Sequence, residues 1–103
     1  MGKVSTVAKK SDLPAGKAMA VDIDGNRIAV FNVNGSFYAI ADECSHAGGS
    51  LSEGEMEGNV VTCPWHGATF DVTSGAALSA PAYDAVKSFK IHVEGDEIKV
   101  ETA

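Results

Sequence analysis

Two short motifs contain both cysteines of the chain and two of its three histidines. The first is Cys44-Ser45-His46, and the second is Cys63-Pro64-Trp65-His66. Thiolates and imidazoles are common ligands of zinc and of iron–sulfur centres. Each spacing keeps both side chains of a motif on one tight loop, and glycines beside the motifs let the backbone approach a bound group. We therefore predict a metal site built from two loops, with Cys44, His46, Cys63 and His66 as its ligands.

The spacing bears on which metal the four residues bind. A closed tetrahedral zinc site and an iron–sulfur centre can both use two thiolates and two imidazoles. Structural zinc sites usually pair cysteine with cysteine and histidine with histidine at short separations. Here each motif supplies one of each, as a two-iron cluster requires if one iron takes both cysteines and the other takes both histidines. The pattern favours the cluster and leaves zinc as the alternative.

The sequence around these motifs resembles the Rieske-type [2Fe–2S] ferredoxins, in particular the small electron carriers of bacterial aromatic-ring-hydroxylating dioxygenase systems. The matching stretches are Cys44-Ser45-His46, Leu51-Ser52-Glu53-Gly54, Cys63-Pro64-Trp65-His66-Gly67, Phe70-Asp71 and Ala80-Pro81-Ala82-Tyr83, and the resemblance extends over about residues 28 to 101. It implies one [2Fe–2S] cluster, in which Cys44 and Cys63 bind the inner iron while His46 and His66 bind the outer, more exposed iron.

The resemblance also implies a function. A carrier of this kind takes one electron from a flavoprotein NAD(P)H reductase and delivers it to a terminal oxygenase that acts in aromatic hydrocarbon catabolism. Two alternatives stay open. One is the small Rieske-like subunit of an assimilatory nitrite reductase, although some members of that group lack the ligands that are present here. The other is a zinc-binding interaction module without a redox role.

Four positions differ from the Rieske proteins of the respiratory and photosynthetic cytochrome complexes. Gly49 and Trp65 stand where those proteins carry two further cysteines joined as a disulfide. Ala68 and Phe70 stand where they typically carry a serine and a tyrosine, whose hydroxyls donate hydrogen bonds to the cluster sulfurs. Such donors stabilise the reduced state, so their absence lowers the reduction potential. We predict a potential in the lower part of the Rieske range of about −150 to +300 mV.

The remaining sequence predicts an all-β, Rieske-type fold with antiparallel sheets. Two-residue turns at Asp24-Gly25 and Asn34-Gly35 join three strands into a meander. If the first turn sets the register, Val21 faces Ile28, and Asp22 pairs with Arg27 on the opposite face. The run from Ile28 to Val33 is apolar on both faces except at Asn32, which indicates a central strand.

The predicted ligands fall in a stretch of different character. Between residues 42 and 70, glycines and small polar residues predominate, and Val60-Val61 is the short strand that the pattern indicates. We expect a single domain over residues 1–103, in which a loop-rich cluster-binding insertion, about residues 42–70, is mounted on a larger β base. By resemblance, the loop around Ala80-Pro81-Ala82 packs beside the ligand loops.

A C-terminal hairpin is predicted around a type II′ turn at Gly95-Asp96, because apolar and polar residues alternate on both sides of it. His92 falls on the polar face, so we expect it to be a solvated surface residue. A Rieske oxygenase also needs an iron held by two histidines and a carboxylate. Since one histidine cannot supply that site, we expect an electron-transfer component rather than an enzyme.

Composition and charge limit the partners. The chain of 103 residues has a formal net charge of −6 and a pI near 4.8. An acidic surface argues against nucleic acid and anionic membranes and favours basic patches on protein partners. Glu53, Glu55 and Glu57 lie between the ligand motifs. They form part of a docking face or, equally well, only keep a glycine-rich stretch soluble.

The sequence also predicts the location. Every apolar run is shorter than the roughly 20 residues of a membrane helix, and the first residues lack the apolar core of a signal peptide. Both cysteines are assigned to the metal site, so none remains for a structural disulfide. We expect a cytoplasmic protein that acts as a monomer.

Overall fold

The computed structural model describes residues 3–23, 25–42, 51–63, 69–78 and 86–102. These residues form nine strands: β1 Lys3–Lys9, β2 Ala18–Ile23, β3 Asn26–Val33, β4 Ser36–Ala41, β5 Glu55–Glu57, β6 Val60–Thr62, β7 Thr69–Asp71, β8 Ser88–Glu94 and β9 Glu97–Thr102. Two short 3-10 turns cover Lys10–Asp12 and Leu51–Glu53. The predicted all-β fold is confirmed.

The strands form two antiparallel sheets. The larger has six strands in the order β1-β9-β8-β4-β3-β2, and the smaller has three in the order β5-β6-β7. The smaller sheet contains more strand than the sequence predicted. Beside the expected β6, it includes β5, two of whose three residues are glutamates, and β7. Because glutamate has a low strand propensity, pairing with β6 rather than local preference determines β5.

The first two predicted hairpins have the expected registers. Val21 lies opposite Ile28, and Asp22 lies opposite Arg27. At the second turn, Asn34 and Gly35 have φ angles of 52° and 92°, as a type I′ turn requires. Gly25 also has a positive φ, of 84°, whereas Asp24 is outside the described residues. The meander of β2, β3 and β4 is therefore confirmed.

Strand β3 separates two hydrophobic clusters and is central, as predicted. Ala29 and Phe31 are buried on one face, in a cluster with Leu51, Val61, Cys63, Phe70, Val72 and Val86, which we call the site cluster. Ile28 and Val30 are buried on the other face with residues of β9. Because the pleat alternates side chains between faces, one apolar strand contributes to both clusters.

Asn32 is the polar exception in β3 and is buried. Its Nδ2 donates a hydrogen bond to the Leu13 carbonyl at 2.7 Å, and its Oδ1 accepts one from the Gly35 amide at 2.8 Å. Both polar atoms of the buried side chain thus have hydrogen-bond partners. These bonds also fix the turn after β3 and the segment before β2.

The C-terminal hairpin pairs Glu94 with Glu97 around Gly95, whose φ is 60°. Its second strand has the expected buried face, which contains Ile98 and Val100. The first strand is more open than its alternation predicted, because Val93 is exposed. In the described part of the chain, helices long and apolar enough to cross a membrane do not occur.

Candidate metal centre

The structure describes one of the four predicted ligands, Cys63. Cys44, His46 and His66 lie outside the described residues, as do Gly49, Trp65, Ala68 and the segment 80–83. Within the described ranges, no three histidine, cysteine or acidic side chains are grouped so that they could hold a metal ion. The described part of the candidate site consists of Cys63 and the residues that flank the undescribed segments.

Cys63 is buried and follows directly on β6. Its relative exposure is 1%, and its thiol is not part of a disulfide. The preceding residue, Thr62, pairs with Thr69 at the start of β7. The segment from 64 to 68, which contains His66, therefore joins two strands that are already paired, and Cys63 lies where that connection leaves the sheet.

The surroundings of Cys63 are apolar. Val61 and Phe70 lie opposite each other on β6 and β7, and both are fully buried in the site cluster. The Phe70 ring occupies the position at which the cytochrome-complex Rieske proteins typically carry a tyrosine. The Phe70 ring helps to shield the thiol from water and itself carries no hydroxyl.

The segment from 43 to 50 begins and ends at one point, and Asp42 holds that point together. The Asp42 carbonyl accepts a hydrogen bond from the Leu51 amide at 2.6 Å, and its Oδ1 accepts one from the Ser52 amide at 2.7 Å. The Arg27 Nε donates to Oδ2 at 2.7 Å. Both ends of the segment that contains Cys44 and His46 are thus fixed to β3.

The same turn also contacts the residue before Cys63. The Gly54 amide donates to the Leu51 carbonyl at 3.0 Å, and a Cβ on Gly54 would overlap the Thr62 carbonyl oxygen. Only glycine allows this approach of the two backbones. The close contact therefore places the end of the first segment beside the start of the second.

The third undescribed segment, 79–85, also begins and ends at the small sheet. The Leu78 amide donates to the Thr69 carbonyl at 2.8 Å, and the Val86 amide donates to the Gly75 carbonyl at 2.9 Å. All three segments that contain the predicted ligands or their expected shield therefore start and finish around β6, β7 and the site cluster.

The residues between the ligand motifs present a negative edge. Glu53, Glu55 and Glu57 are exposed, whereas Met56 between them packs against the site cluster. Glu55 lies opposite Thr62, the neighbour of Cys63. Glu55 and Glu57 therefore lie on the outer strand of the small sheet, Glu53 lies in the 3-10 turn before it, and Glu55 is next to the candidate centre.

His92 is exposed, as predicted, with 44% of its side chain accessible. The structure adds a partner, because its Nε2 lies 2.8 Å from Glu101 Oε1. This hydrogen bond lowers the pKa of Glu101 below its usual range. His92 lies on β8, outside the small sheet, so the structure assigns it to a surface pair.

Sequence reasoning missed Asp42. The sequence pattern marks Asp42 only as the boundary of the glycine-rich stretch and places Arg27 opposite Asp22. The predicted register is correct, yet the ion pair of Arg27 is with Asp42. The available signal was an acidic residue two positions before Cys44, but its partners lie 15 and 10 residues away in sequence.

The donor set fits an iron–sulfur group. A fully buried thiol at a strand end, set in apolar side chains, is a soft ligand in a site that excludes water. The described residues therefore provide one buried thiol as a candidate sulfur ligand, and the flanks of three undescribed segments lie around it.

Comparisons with known proteins agree with this chemistry. The family model described as Rieske [2Fe-2S] domain matches residues 3–90. The chain is 45% identical over 92 residues to the 3-phenylpropionate/cinnamic acid dioxygenase ferredoxin subunit of Escherichia coli (strain K12), covering 88% of this chain and 86% of that protein.

Solved structures give the same result. The ferredoxin of carbazole 1,9a-dioxygenase from Nocardioides aromaticivorans IC177 matches with a TM-score of 0.91 at 34% identity, over 94% of this chain and 95% of that one. A chain in a complex of reduced oxygenase and oxidized ferredoxin of carbazole 1,9a-dioxygenase matches with a TM-score of 0.90 at 36% identity, over 94% and 91%. A putative NADH-dependent nitrite reductase small subunit from Mycobacterium tuberculosis matches with a TM-score of 0.90 at 22% identity, over 100% and 97%, which shows a shared fold alone.

Proposed function

Because the chain belongs to the Rieske [2Fe–2S] domain family, we propose that it is the ferredoxin of a multicomponent aromatic-ring dioxygenase system. In this role it passes single electrons from a flavoprotein NAD(P)H reductase to a terminal oxygenase. The observation that carries the proposal is the identity of 45%, spread over most of both chains, to a dioxygenase ferredoxin subunit. The protein is an electron-transfer component and not itself the oxygenase.

The proposed ligands are Cys44 and Cys63 on one iron and His46 and His66 on the other. The buried thiol of Cys63 and the flanks of the three segments around it support this set. When bound, a [2Fe–2S] cluster supplies a one-electron redox couple. We also propose that residues 1–103 form one domain, with residues 42–70 as the cluster-binding insertion.

The described residues perform two tasks for such a group. Phe70, Val61 and Leu51 exclude water from the sulfur side, because all three are fully buried around Cys63. The hydrogen bonds of Asp42, Leu51 and Ser52 fix the residues that flank the first ligand segment. The apolar shell around a metal site controls solvent access and thereby its redox potential.

The partners are proposed from relatives and from charge. A ferredoxin and an oxygenase form a complex in the carbazole 1,9a-dioxygenase system. The formal net charge of −6 and the exposed glutamates of β5 support docking to basic patches on the reductase and the oxygenase. A cytoplasmic location and a monomeric state stay predictions.

Metal analysis of the purified protein tests the proposal. We expect a reddish-brown protein with two irons and two acid-labile sulfides per chain. A colourless protein that contains zinc would overturn the proposal in favour of the interaction module. Reduction by NADH through a flavoprotein ferredoxin reductase, followed by turnover of an aromatic-ring dioxygenase, then tests the assignment. Electron delivery to a nitrite reductase instead would support the alternative of a nitrite reductase subunit.

A further inference from the structure

We propose that Asp42 and Arg27 form a clamp that positions the first ligand segment, so that iron binding at Cys44 and His46 depends on two residues that do not touch iron. This inference rests on the proposed function, since it takes Cys44 and His46 as ligands. It concerns positioning residues, and it assigns to Arg27, on β3 of the larger sheet, a role in the metal centre.

Asp42 uses every polar atom it has. Its amide donates to the Arg27 carbonyl at 3.0 Å, its carbonyl accepts from Leu51, and its two carboxylate oxygens accept from Ser52 and from the Arg27 Nε. Both ends of the 43–50 segment and one strand of the larger sheet thus meet at a single residue.

Because Asp42 is buried, loss of these hydrogen bonds would destabilise the fold. Its relative exposure is 0%, and it is the one acidic residue that is buried in the described part of the chain. A buried carboxylate is tolerated only when charge and hydrogen-bonding capacity are both satisfied. Arg27 supplies the charge from the surface, where 56% of its side chain is exposed. Separation of the segment ends would break the Ser52 bond and leave the buried Oδ1 without that donor.

The clamp is connected to Cys63 through described contacts. Leu51, which donates to Asp42, is buried in the same cluster as Cys63. Leu51 also accepts the Gly54 amide, and Gly54 contacts the carbonyl of Thr62, the residue before Cys63. Asp42 therefore connects the flanks of the first ligand segment, through Leu51 and Gly54, to the backbone that leads into Cys63.

The geometry indicates which substitutions are informative. Asp42→Asn preserves size, but the amide has only one acceptor oxygen and directs an NH2 at a second N–H donor. Arg27→Gln removes the compensating cation, whereas Arg27→Lys retains it without the guanidinium geometry. Asp22→Asn is the matched control, because Asp22 lies opposite Arg27 on β2 and is exposed, yet the ion pair of Arg27 is with Asp42.

The first measurement is the rate at which the visible absorbance bleaches in excess chelator, at a temperature where circular dichroism shows each variant folded. Loss of a residue that orients metal ligands typically costs 10- to 100-fold in metal affinity. We expect Asp42→Asn to bleach about 10-fold faster or more than wild type. Arg27→Gln should follow it, Arg27→Lys should be partly rescued, and Asp22→Asn should match wild type.

The second measurement is the reduction potential. A general loss of packing would not shift the potentials of the variants in the order of the charge that each leaves at positions 27 and 42. Asp42 lies two residues from Cys44, and a negative charge there disfavours the added electron. The potential should rise in Asp42→Asn, fall in Arg27→Gln, and stay near wild type in Arg27→Lys. If Asp42→Asn does not fold, the variants Arg27→Gln and Arg27→Lys provide both measurements, because Arg27 is exposed at the surface.

The clamp is overturned if Asp42→Asn and Arg27→Gln bleach at the wild-type rate, or if bleaching occurs only where the fold itself melts. It is also overturned if the potentials do not follow the order of charge. These outcomes are distinct from a failure of the proposed function, which the metal content of the wild-type protein decides alone. A wild-type protein with two irons and unaffected variants would reject the clamp and retain the ferredoxin.

Discussion

Gly75 and Val86 lie so close together that a Cβ on the glycine would overlap the Val86 carbonyl oxygen. The Val86 amide also donates to the Gly75 carbonyl at 2.9 Å, and Gly75 has a φ of 82°. This contact holds one end of the 79–85 segment, which the family resemblance places beside the ligand loops. Both the space and the backbone angle at position 75 thus favour glycine.

Gly75→Ala should therefore be more damaging than an ordinary substitution of a turn glycine. The left-handed backbone costs about 1–2 kcal/mol for alanine, and the overlap adds about 1–3 kcal/mol. Gly16→Ala is the matched control, because Gly16 has a φ of 81° with open space around its Cβ position. Urea unfolding should show the larger loss for Gly75→Ala, and equal losses would contradict the close contact.

Cys63→Ser should abolish metal binding. The serine oxygen is a harder and less acidic donor than the thiol, and it would be buried in the apolar site cluster. We expect loss of most of the iron and of the visible colour, measured on protein purified in parallel with wild type. His92→Ala is the control, since His92 pairs with Glu101 on the surface, and it should retain full iron content. Loss of iron in His92→Ala would contradict the assignment of the ligands.

The fold was largely predictable because its hairpins are local. A two-residue turn fixes strand register, so Asp24-Gly25 and Asn34-Gly35 determined which residues face each other before any tertiary information. The central position of β3 followed from its apolar residues on both faces. Strand β5 was missed, since Glu55-Met56-Glu57 has low strand propensity and pairs only because β6 lies beside it.

For the site, the sequence predicts candidate ligands but not the residues that support them. Two Cys and His motifs are visible in the sequence, but the residues that support them are distant from one another in it. Arg27 and Asp42 are joined across 15 residues, and no periodic pattern marks such a pair. The same limit applied to Gly54, whose contact with Thr62 depends on how two turns pack.

Asp71 provides a pH-dependent prediction. The Thr73 hydroxyl donates to Asp71 Oδ1 at 2.6 Å, and this bond lowers the pKa of Asp71 below its usual value of 3.8, with further help from the Thr73 amide and Asn59. A carboxyl whose folded pKa is depressed contributes stability above its unfolded pKa, and that contribution disappears as the pH falls through the folded pKa. The hydrogen bond should therefore stabilise the protein at neutral pH and not in strong acid.

Thr73→Val removes the hydroxyl, and Thr73→Ser retains it as the control. At neutral pH, Thr73→Val should lose about 0.5 kcal/mol relative to Thr73→Ser, because the bond is open to solvent. The difference should shrink as the pH falls below 3.8, toward the lowered pKa of Asp71. Urea unfolding over this pH range measures it. A difference that is independent of pH would mean that Thr73 acts through packing rather than through Asp71.

Glu53, Glu55 and Glu57 allow a test of whether partner proteins dock at this acidic edge. All three side chains are exposed, and Glu55 lies opposite Thr62, next to Cys63. Opposite charges on a partner would raise the association rate at low salt, and screening would remove the advantage as the Debye length falls to about 8 Å at 0.15 M salt. Changing all three to lysine moves the formal net charge from −6 to 0, since each change adds two charges.

A control with the same change in charge separates local docking from net charge. Glu94, Asp96 and Glu97 are exposed at the β8–β9 turn, and their change to lysine also brings the formal net charge from −6 to 0. If Glu53, Glu55 and Glu57 contact the reductase, reduction at low salt should slow about 10-fold or more when these three are lysine. It should slow much less in the control variant at the β8–β9 turn. The two variants should converge with wild type as salt rises. Equal rates for the two triple variants at every salt concentration would show that Glu53, Glu55 and Glu57 only keep this edge hydrated.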